Sequence, residues 1–531
     1  MAYLHPVAAR LLAALLCLFV GLATAGSSVA QDDPARLDAV KEFRTWFKKF
    51  KDEAQQVEAV MTLKGQECVP AAEELLKLLK HPSAAVQQAA FDVLATYHEP
   101  RTYQAWIDAL PKEKDQTQVA VVVKVLGRAR LAAAVAPIEL AAQGPKVSAG
   151  VKYEAARALQ AIGSAGTAGL LPKLLLDADP LVRLAAADAV GALKLKDAAD
   201  ALVGLLADDN WQVQSAAIAA LKVLRPQQAV QPLIDLMKQA GRLQIECSEA
   251  LFAITGMDFG LDPVRWQEQW TTLMGIQGWR IPTDEELAKK AESRRKYDAL
   301  YGKTEQKKNA FAGIPTTSTN VLFIIDVSGS MDDLVVEVEK FQGYADRKRF
   351  TIVQTQLLQT LESLTDETNF DIVAFATNLQ VWKGRLVPAN VVNREAAKAF
   401  VRRLKPIGGT ESQELAASGL GGAANLEAGK TNTYKALMYA FGIDPDKPPK
   451  AAATGADKEA LKSPLDTVYF LSDGRPSVGK FIDVNEIRRE VNKHNEVWRI
   501  VFHAIAIGDF QKEFLQALAE DNGGVFVDLG R

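Results

Sequence analysis

From about residue 70 to residue 256 the chain repeats itself with a period near 31, and this limits the fold more than any other feature. Val86, Val119, Val151, Val182, Val213 and Ile245 occupy equivalent places, at steps of 33, 32, 31, 31 and 32 residues. Each opens an apolar helix that continues through Leu94, Leu126, Leu159, Val190, Leu221 and Leu251. A second helix precedes each, as in Ala71 to Lys80, Gly169 to Leu176 and Ala198 to Leu206, with turn signals such as His81-Pro82-Ser83, Asp179-Pro180 and Asp208-Asp209-Asn210 between the two. Neither helix can bury its apolar stripe alone. Neighbouring pairs must stack, and a two-helix unit of this length means an α-solenoid.

The segments "DPLVRLAAADAVGAL" (Asp179 to Leu193) and "NWQVQSAAIAALKVL" (Asn210 to Leu224) resemble short HEAT-like repeats. The resemblance covers about six units over residues 70–275 and implies a fold, not a chemistry. Such repeats serve as binding scaffolds, and a plain spacer is the alternative. Some relatives serve bilin lyases, but nothing here marks a bilin site. "GMDFGLDPVRWQEQW" (Gly256 to Trp270) closes the array, with Trp266 and Trp270 four residues apart and placed to cap its last apolar face. Residues 31–69 read as a helical segment ahead of the array. Residues 276–318 read as a charged linker containing a helix, in which acids interleave the bases.

The start of the chain has its own pattern. Leu11 to Ala25 is an uncharged, mostly apolar run of 15 residues preceded by Arg10. A membrane span needs about 20 such residues. The run suits the core of a secretory signal, 1–25, with cleavage after Ala23-Thr24-Ala25 or after Ser28-Val29-Ala30; an uncleaved anchor is the alternative. Leu16 before Cys17, inside the run, does not suit a lipoprotein site. The expectation is an exported protein, periplasmic, cell-envelope or extracellular, with no transmembrane segment after cleavage. Beyond the signal only Cys68 and Cys247 remain, too few for a disulfide framework and expected as buried thiols. With 62 basic residues against 65 acidic ones, for a net charge of −3, neither nucleic acid nor an anionic membrane is indicated as a partner.

At residue 319 the pattern changes to strands alternating with amphipathic helices, the mark of a doubly wound α/β domain. Strands are expected at Val321 to Ile325, Phe370 to Phe375, Val468 to Leu471, Ile500 to Ile507 and Val525 to Val527. Helices should bury Val353, Leu357, Leu361 and Leu364 on one face, and Ala396, Phe400 and Leu404 on another. Asp326, Ser328 and Ser330 form D-x-S-x-S directly after the first strand, and Asp473 follows another apolar strand in "TVYFLSDGRPS". Ligands of such sheets sit beyond the carboxyl ends of the strands. Two carboxylates and several hydroxyls are hard oxygen donors, which suit Mg²⁺ first and Mn²⁺ or Ca²⁺ next.

"FIIDVSGSM", "YFLSDGRPSVG" and "AIAIGDF" resemble, in order and spacing, a von Willebrand factor type A domain with a metal-ion-dependent adhesion site, spanning residues 319–531. The resemblance implies that Ser328, Ser330 and a threonine bind the metal directly. It implies that Asp326 and Asp473 bind mostly through water, and that a partner protein donates an Asp or Glu side chain. The threonine is where this sequence departs from the family. "PIGGT" ends at Thr410, while "GKTNTYKALMYAF" supplies Thr431, and a Gly/Ala-rich insertion, Glu411 to Gly429, separates them. Thr431 is favoured because it lies at the entry of the helix from Tyr434 to Phe441, where a threonine suits an N-cap; Thr410 is the alternative.

Other patterns carry less. Ala424 to Thr431 satisfies a loose P-loop pattern but follows no buried strand, so no nucleotide is expected. Asp332 and Asp333 read as a solvated acidic turn or an adjacent cation site. His494 and His503 have no acid-base partner in sequence, and neither serine has a visible base. The expectation is therefore a non-enzymatic, exported adhesion or assembly protein with the solenoid as scaffold. The alternatives are a metal-dependent hydrolase or chelatase-like subunit, and a structural envelope scaffold.

Overall fold

The computed structural model describes residues 33–163, 169–239, 241–301, 310–409 apart from 312, 316, 336–340, 342, 343 and 345, then 418, 427–447, 458–508 and 512–529. The signal-like segment, Thr410 and most of the insertion after it lie outside the described residues. The chain divides into two compact units, Met1–Ala109 and Leu110–Arg531.

In the first unit, helices Pro34–Phe47, Glu53–Met61, Val69–Leu78, Ala84–Leu94 and Pro100–Ala109 bury Val60, Leu75, Val86 and Leu94 between them. In the second, three of the long repeat helices start at a residue whose side chain caps them. Asp115 accepts the Thr117 amide, Ser148 the Val151 amide and Asp179 the Leu181 amide. The long helices Gln116–Arg128, Ala149–Ile162, Pro180–Ala192 and Trp211–Leu224 pack side by side. Alanine and glycine let them approach closely. A Cβ on Gly127 would lie 2.6 Å from Ala158, and one on Gly191 would lie 2.9 Å from the Ala220 backbone.

The repeat residues Val86, Val119, Val151, Val182 and Val213 are buried, but Ile245 is 39% exposed, contrary to expectation. The last long helix, Leu243–Thr255, buries Cys247, Leu251 and Ile254 instead. Beyond it the helix Asp284–Tyr301 takes the place of another repeat: its Arg294 pairs with Glu249 at 3.1 Å and stands over the Phe252 ring, so the inward face of Leu243–Thr255 differs from those of the earlier long helices. On the helix Pro263–Met274, Trp266 and Trp270 are buried, with the Trp266 indole donating to the Gly260 carbonyl at 3.0 Å. Cys68 and Cys247 are both buried as thiols.

Residues 320–528 form a seven-stranded sheet. Its strands are β1 Asn320–Asp326, β2 Asn369–Phe375, β3 Leu379–Val381, β4 Val387–Pro388, β5 Thr467–Ser472, β6 Val501–Ala506 and β7 Phe526–Asp528. The order is β3-β2-β1-β5-β6-β7, with β4 also pairing β2. β1, β2, β5, β6 and β7 run parallel; β3 and β4 are short antiparallel additions that the sequence pattern does not signal. Among the described residues, five helices accompany the strands: α1 Arg349–Ser363, α2 Val391–Arg403, α3 Thr433–Tyr439, α4 Val484–Trp498 and α5 Lys512–Asp521.

α1 buries Val353, Leu357 and Leu361, with Leu364 just beyond, as the periodicity predicts. α2 meets its expected face in part, with Leu404 buried just beyond it and Phe400 packed against the core, but the most deeply buried positions are shifted by one residue. Ala397 and Val401 are buried, while Ala396 and Phe400 are only partly covered. Chain order puts β2 on one side of β1 and β5 on the other. The crevice of this doubly wound sheet therefore opens beyond the carboxyl ends of these central strands.

Candidate metal centre

Because β1 and β5 are parallel neighbours, paired from Val321–Thr467 to Ile325–Leu471, the loops that leave them meet at one rim. The D-x-S-x-S loop is fixed from three sides by backbone bonds. Val327 N donates to Phe375 O at 2.8 Å, Ile407 N donates to Val327 O at 2.9 Å, and Gly329 N donates to Gly429 O at 3.0 Å. Gly429 must be glycine, since a Cβ there would lie 2.1 Å from the Ile407 carbonyl oxygen. The Gly-Lys-Thr turn is thus clamped over the serine loop.

Asp326, Ser328, Ser330, Thr431 and Asp473 come together at this rim. Asp326 is fully buried, and both its oxygens are engaged, Oδ1 by the Ser328 amide at 2.8 Å and Oδ2 by the Ser472 hydroxyl at 2.6 Å. The Ser330 hydroxyl donates to Asp473 Oδ1 at 2.9 Å and lies 3.3 Å from the Ser328 hydroxyl. Thr431 is buried, and its amide donates to the Ser477 hydroxyl oxygen at 2.9 Å. Its own hydroxyl and that of Ser330 both face Gly474. A Cβ on Gly474 would lie 3.1 Å from Thr431 Oγ1 and 3.4 Å from Ser330 Oγ, so a side chain there would crowd both hydroxyls. Three hydroxyls and two carboxylates around a space that a single methyl would narrow fit a small hard cation.

Thr431 is not a helix cap. The N-cap of α3 is Asn432, whose side chain accepts the Lys435 amide, and the helix begins at Thr433. Asn432 outranks threonine because its amide also reaches the Thr377 carbonyl at 3.3 Å, tying the helix start to the end of β2. Gly409, next to Thr410, packs instead against Asp332, where a Cβ would lie 2.5 Å from the aspartate's own. Asp332 is not solvated, as its side chain is 9% exposed and pairs with Lys348 at 2.8 Å. Asp333 is half exposed. Lys430 of the P-loop-like segment pairs with Glu427 at 2.7 Å. His503 is buried, stacks on Tyr469 and accepts the Val525 amide at 3.0 Å. Burial pushes its pKa down to about 4, and the positive charge of Arg242 adds to this.

Two participants are not visible in the sequence pattern. Ser472 carries no signal beyond its place before Asp473. Arg349, in the basic run Arg347-Lys348-Arg349, is the first residue of α1 and is 7% exposed. Its Nη1 lies 2.7 Å from Asp473 Oδ2 and 3.3 Å from the Ser330 carbonyl. Burial raises the pKa of Asp326, and the neighbouring Asp473 charge raises it further. Burial also raises that of Asp473, against the pull of Arg349. Two carboxylates so placed favour a compensating positive charge.

A mainly parallel sheet with D-x-S-x-S and S-D-G loops meeting at its carboxyl rim defines the class, a doubly wound α/β domain. Residues 319–528 match the family model of the von Willebrand factor type A domain, and residues 137–222 and 167–251 match that of HEAT repeats. The chain therefore carries a von Willebrand factor type A domain behind a run of HEAT repeats. It is 29% identical over 208 residues to inter-alpha-trypsin inhibitor heavy chain H1 of Mesocricetus auratus, covering 39% of this chain and 18% of that protein. It is 26% identical over 209 residues to heavy chain H2 of Sus scrofa, covering 39% of this chain and 17% of that protein. It thus spans less than a fifth of either relative. Among solved structures, a von Willebrand factor type A protein from Catenulispora acidiphila matches with a TM-score of 0.27 and 20% identity, over 40% of this chain and 38% of that one.

Proposed function

We propose that this chain is an exported adhesion or assembly protein whose domain rim holds a divalent cation, Mg²⁺ first and Mn²⁺ or Ca²⁺ next, to bind an acidic side chain of a partner. Ser328, Ser330 and Thr431 are the direct ligands in this reading, and Asp326 and Asp473 anchor them. The observation that carries it is the convergence of three hydroxyls and two buried carboxylates at one rim around Gly474. When bound, the cation supplies an electrophilic position that an incoming Asp or Glu can occupy. The protein's part is to hold the hydroxyls at fixed places and to keep both carboxylates oriented. Export rests on the apolar run Leu11 to Ala25. Among the described residues no helix is long and apolar enough to cross a membrane.

The function is binding rather than turnover, and the solenoid serves as scaffold. Capture from a cell-envelope extract on the immobilised full chain tests this. EDTA should release the partner, Mg²⁺ should restore it, and Asp326→Ala should capture nothing. Capture that ignores EDTA would overturn the proposal. Turnover of phosphoesters, peptides or glycosides that disappears in Asp326→Ala would replace it with a metal-dependent hydrolase.

A further inference from the structure

The cluster around Asp473 holds a charge that a cation site does not obviously need. Arg349 is nearly buried at the first turn of α1, and several contacts fix its place. Its amide donates to Asp333 O at 3.0 Å, and Leu334 bridges Lys348 beside it. The start of α1 is therefore tied by backbone to the residues just after the serine loop. The guanidinium reaches past Ser330 O to Asp473 Oδ2. Gly508, at φ +131° just after β6, makes room for it; a Cβ there would lie 3.4 Å from Arg349 Cζ. Nε is buried and has no hydrogen-bond partner among the described residues, so the side chain is held through Nη1, which meets Asp473 Oδ2, the Ser330 carbonyl and, at 3.8 Å, Asp333 Oδ2.

Asp473 is thus bound at both oxygens, by the Ser330 hydroxyl and by Arg349. Lys348 meanwhile pairs with Asp332. With both rim carboxylates ionised, Asp326 and Asp473 carry two negative charges against the one positive charge of Arg349, and the half-exposed Asp333, with Oδ2 3.8 Å from Arg349 Nη1, adds a further negative charge at the edge, so the rim stays negative toward a divalent ion.

We propose that Arg349 is the resident counter-ion of the metal site: it holds Asp473 in its ligand-ready position before a cation arrives, and its charge weakens the cation's hold. This rests on the metal-site reading of the rim. The guanidinium and the cation compete for the same carboxylate and repel each other, so each loosens the other. A residue that only packed would not act this way, since removing it would leave metal affinity unchanged or reduced.

The test is Mg²⁺ titration calorimetry and thermal unfolding of the full chain, with wild type, Arg349→Met and Arg349→Lys. Arg349→Met should bind Mg²⁺ roughly tenfold tighter than wild type. It should melt lower without metal and gain more from Mg²⁺ than wild type gains, because binding to the folded state stabilises it. Arg349→Lys, which keeps the charge, should stay within about threefold of the wild-type affinity. If Arg349→Met folds only when Mg²⁺ is present, the ion has replaced the guanidinium, which supports the proposal. If it folds in neither condition, or binds Mg²⁺ no tighter than wild type does, the proposal is overturned while the metal reading stands. If neither wild type nor Arg349→Met binds Mg²⁺, both fall.

Discussion

The strand β5 is bracketed by two buried aspartates, and its two ends are built differently. Asp466 precedes it and Asp473 comes directly after it. At the amino end the Ser318 hydroxyl donates to the Asp466 carboxylate. Arg242, from the solenoid, donates to the Asp466 carbonyl at 3.3 Å and to the Arg499 carbonyl, and it stands 4.9 Å over the Trp211 ring. Gln212, fully buried on a repeat helix, donates to the Ala460 carbonyl at 2.8 Å, and Arg157 pairs with Glu496. The Asp466 carboxylate is engaged by the protein itself, although Gln212 Oε1 and the Nε atoms of Arg242 and Arg499 are buried without a hydrogen-bond partner among the described residues. At the carboxyl end the hydroxyls of Ser330 and Thr431 face the space kept by Gly474. A buried carboxylate closed in by its own chain contributes to architecture; one beside open hydroxyls is available for a ligand.

Exchanging the chemistry of the two ends gives the largest expected effect. Asp326→Ala should lower Mg²⁺ affinity by roughly a hundredfold or more, as a carboxylate anchor of a hard cation is lost. Asp466→Ala should leave that affinity unchanged and cost about 2 kcal/mol of stability, since Ser318 loses its buried acceptor. Calorimetry and denaturant unfolding on both variants measure the contrast.

Arg242→Ala comes next. It removes the cation that ties the solenoid to the start of β5 and β6 and leaves Glu246 without it. About 3 kcal/mol should be lost. Scanning calorimetry should then resolve separate transitions for the repeats and the sheet domain, with Mg²⁺ affinity intact. A single unshifted transition would mean that the amino end is not a structural joint.

A smaller effect separates the threonines. Thr431→Ala should weaken Mg²⁺ binding about tenfold, the loss of one oxygen donor, while Thr410→Ala should leave it within error. The reverse pattern would place the family's threonine at Thr410.

Smallest is a pH effect inside the sheet. The His503 pKa is pushed down to about 4, so between that value and its ordinary 6.5 the unfolded chain holds the extra proton. The stability contributed by neutral His503 is complete above the ordinary value and is lost as pH falls toward the folded one. Between pH 7.5 and pH 5.5, wild type should lose about 1 kcal/mol relative to His503→Asn, whose amide oxygen can still accept from Val525. Equal pH dependence in the two proteins would contradict this.

The same contrast explains what can be read in the sequence. The central parallel strands β1, β2, β5 and β6 are nearly continuous apolar runs, legible because both faces are covered, whereas the edge strand β7 is only partly buried. The repeat helices are legible because their apolar stripe recurs at fixed steps. The short helices are legible unevenly: Ala71 to Lys80 is found as Val69–Leu78, but Gly169 to Leu176 yields only Leu171–Leu174, where Pro172 sits in the first turn although Leu170, Leu171, Leu174 and Leu175 are all buried. The face of α2 is only partly legible because alanines at 396, 397 and 399 give no signal of side, and Lys398 lays its stem along the protein while its amine reaches the exposed Glu362 and Glu395. At the rim, Asp326, Ser328, Ser330 and Asp473 are legible because one strand places three of them and a parallel neighbour the fourth. Arg349 is not, because it lies 18 residues beyond Met331, and the backbone bridge of Leu334 and Lys348 is what brings it back beside Asp473. Charged residues at a helix start read as solvated until a partner is placed beside them.

The central claim is that the carboxyl rim is a cation site built from hydroxyls. Its most direct test is Mg²⁺ titration calorimetry of the full chain against the double variant Ser328→Ala/Ser330→Ala, with folding checked by circular dichroism. Wild type should show one saturable site per chain, and the folded double variant should show none. No saturable heat with Mg²⁺, Mn²⁺ or Ca²⁺ in wild type, or unchanged binding in the double variant, would contradict it.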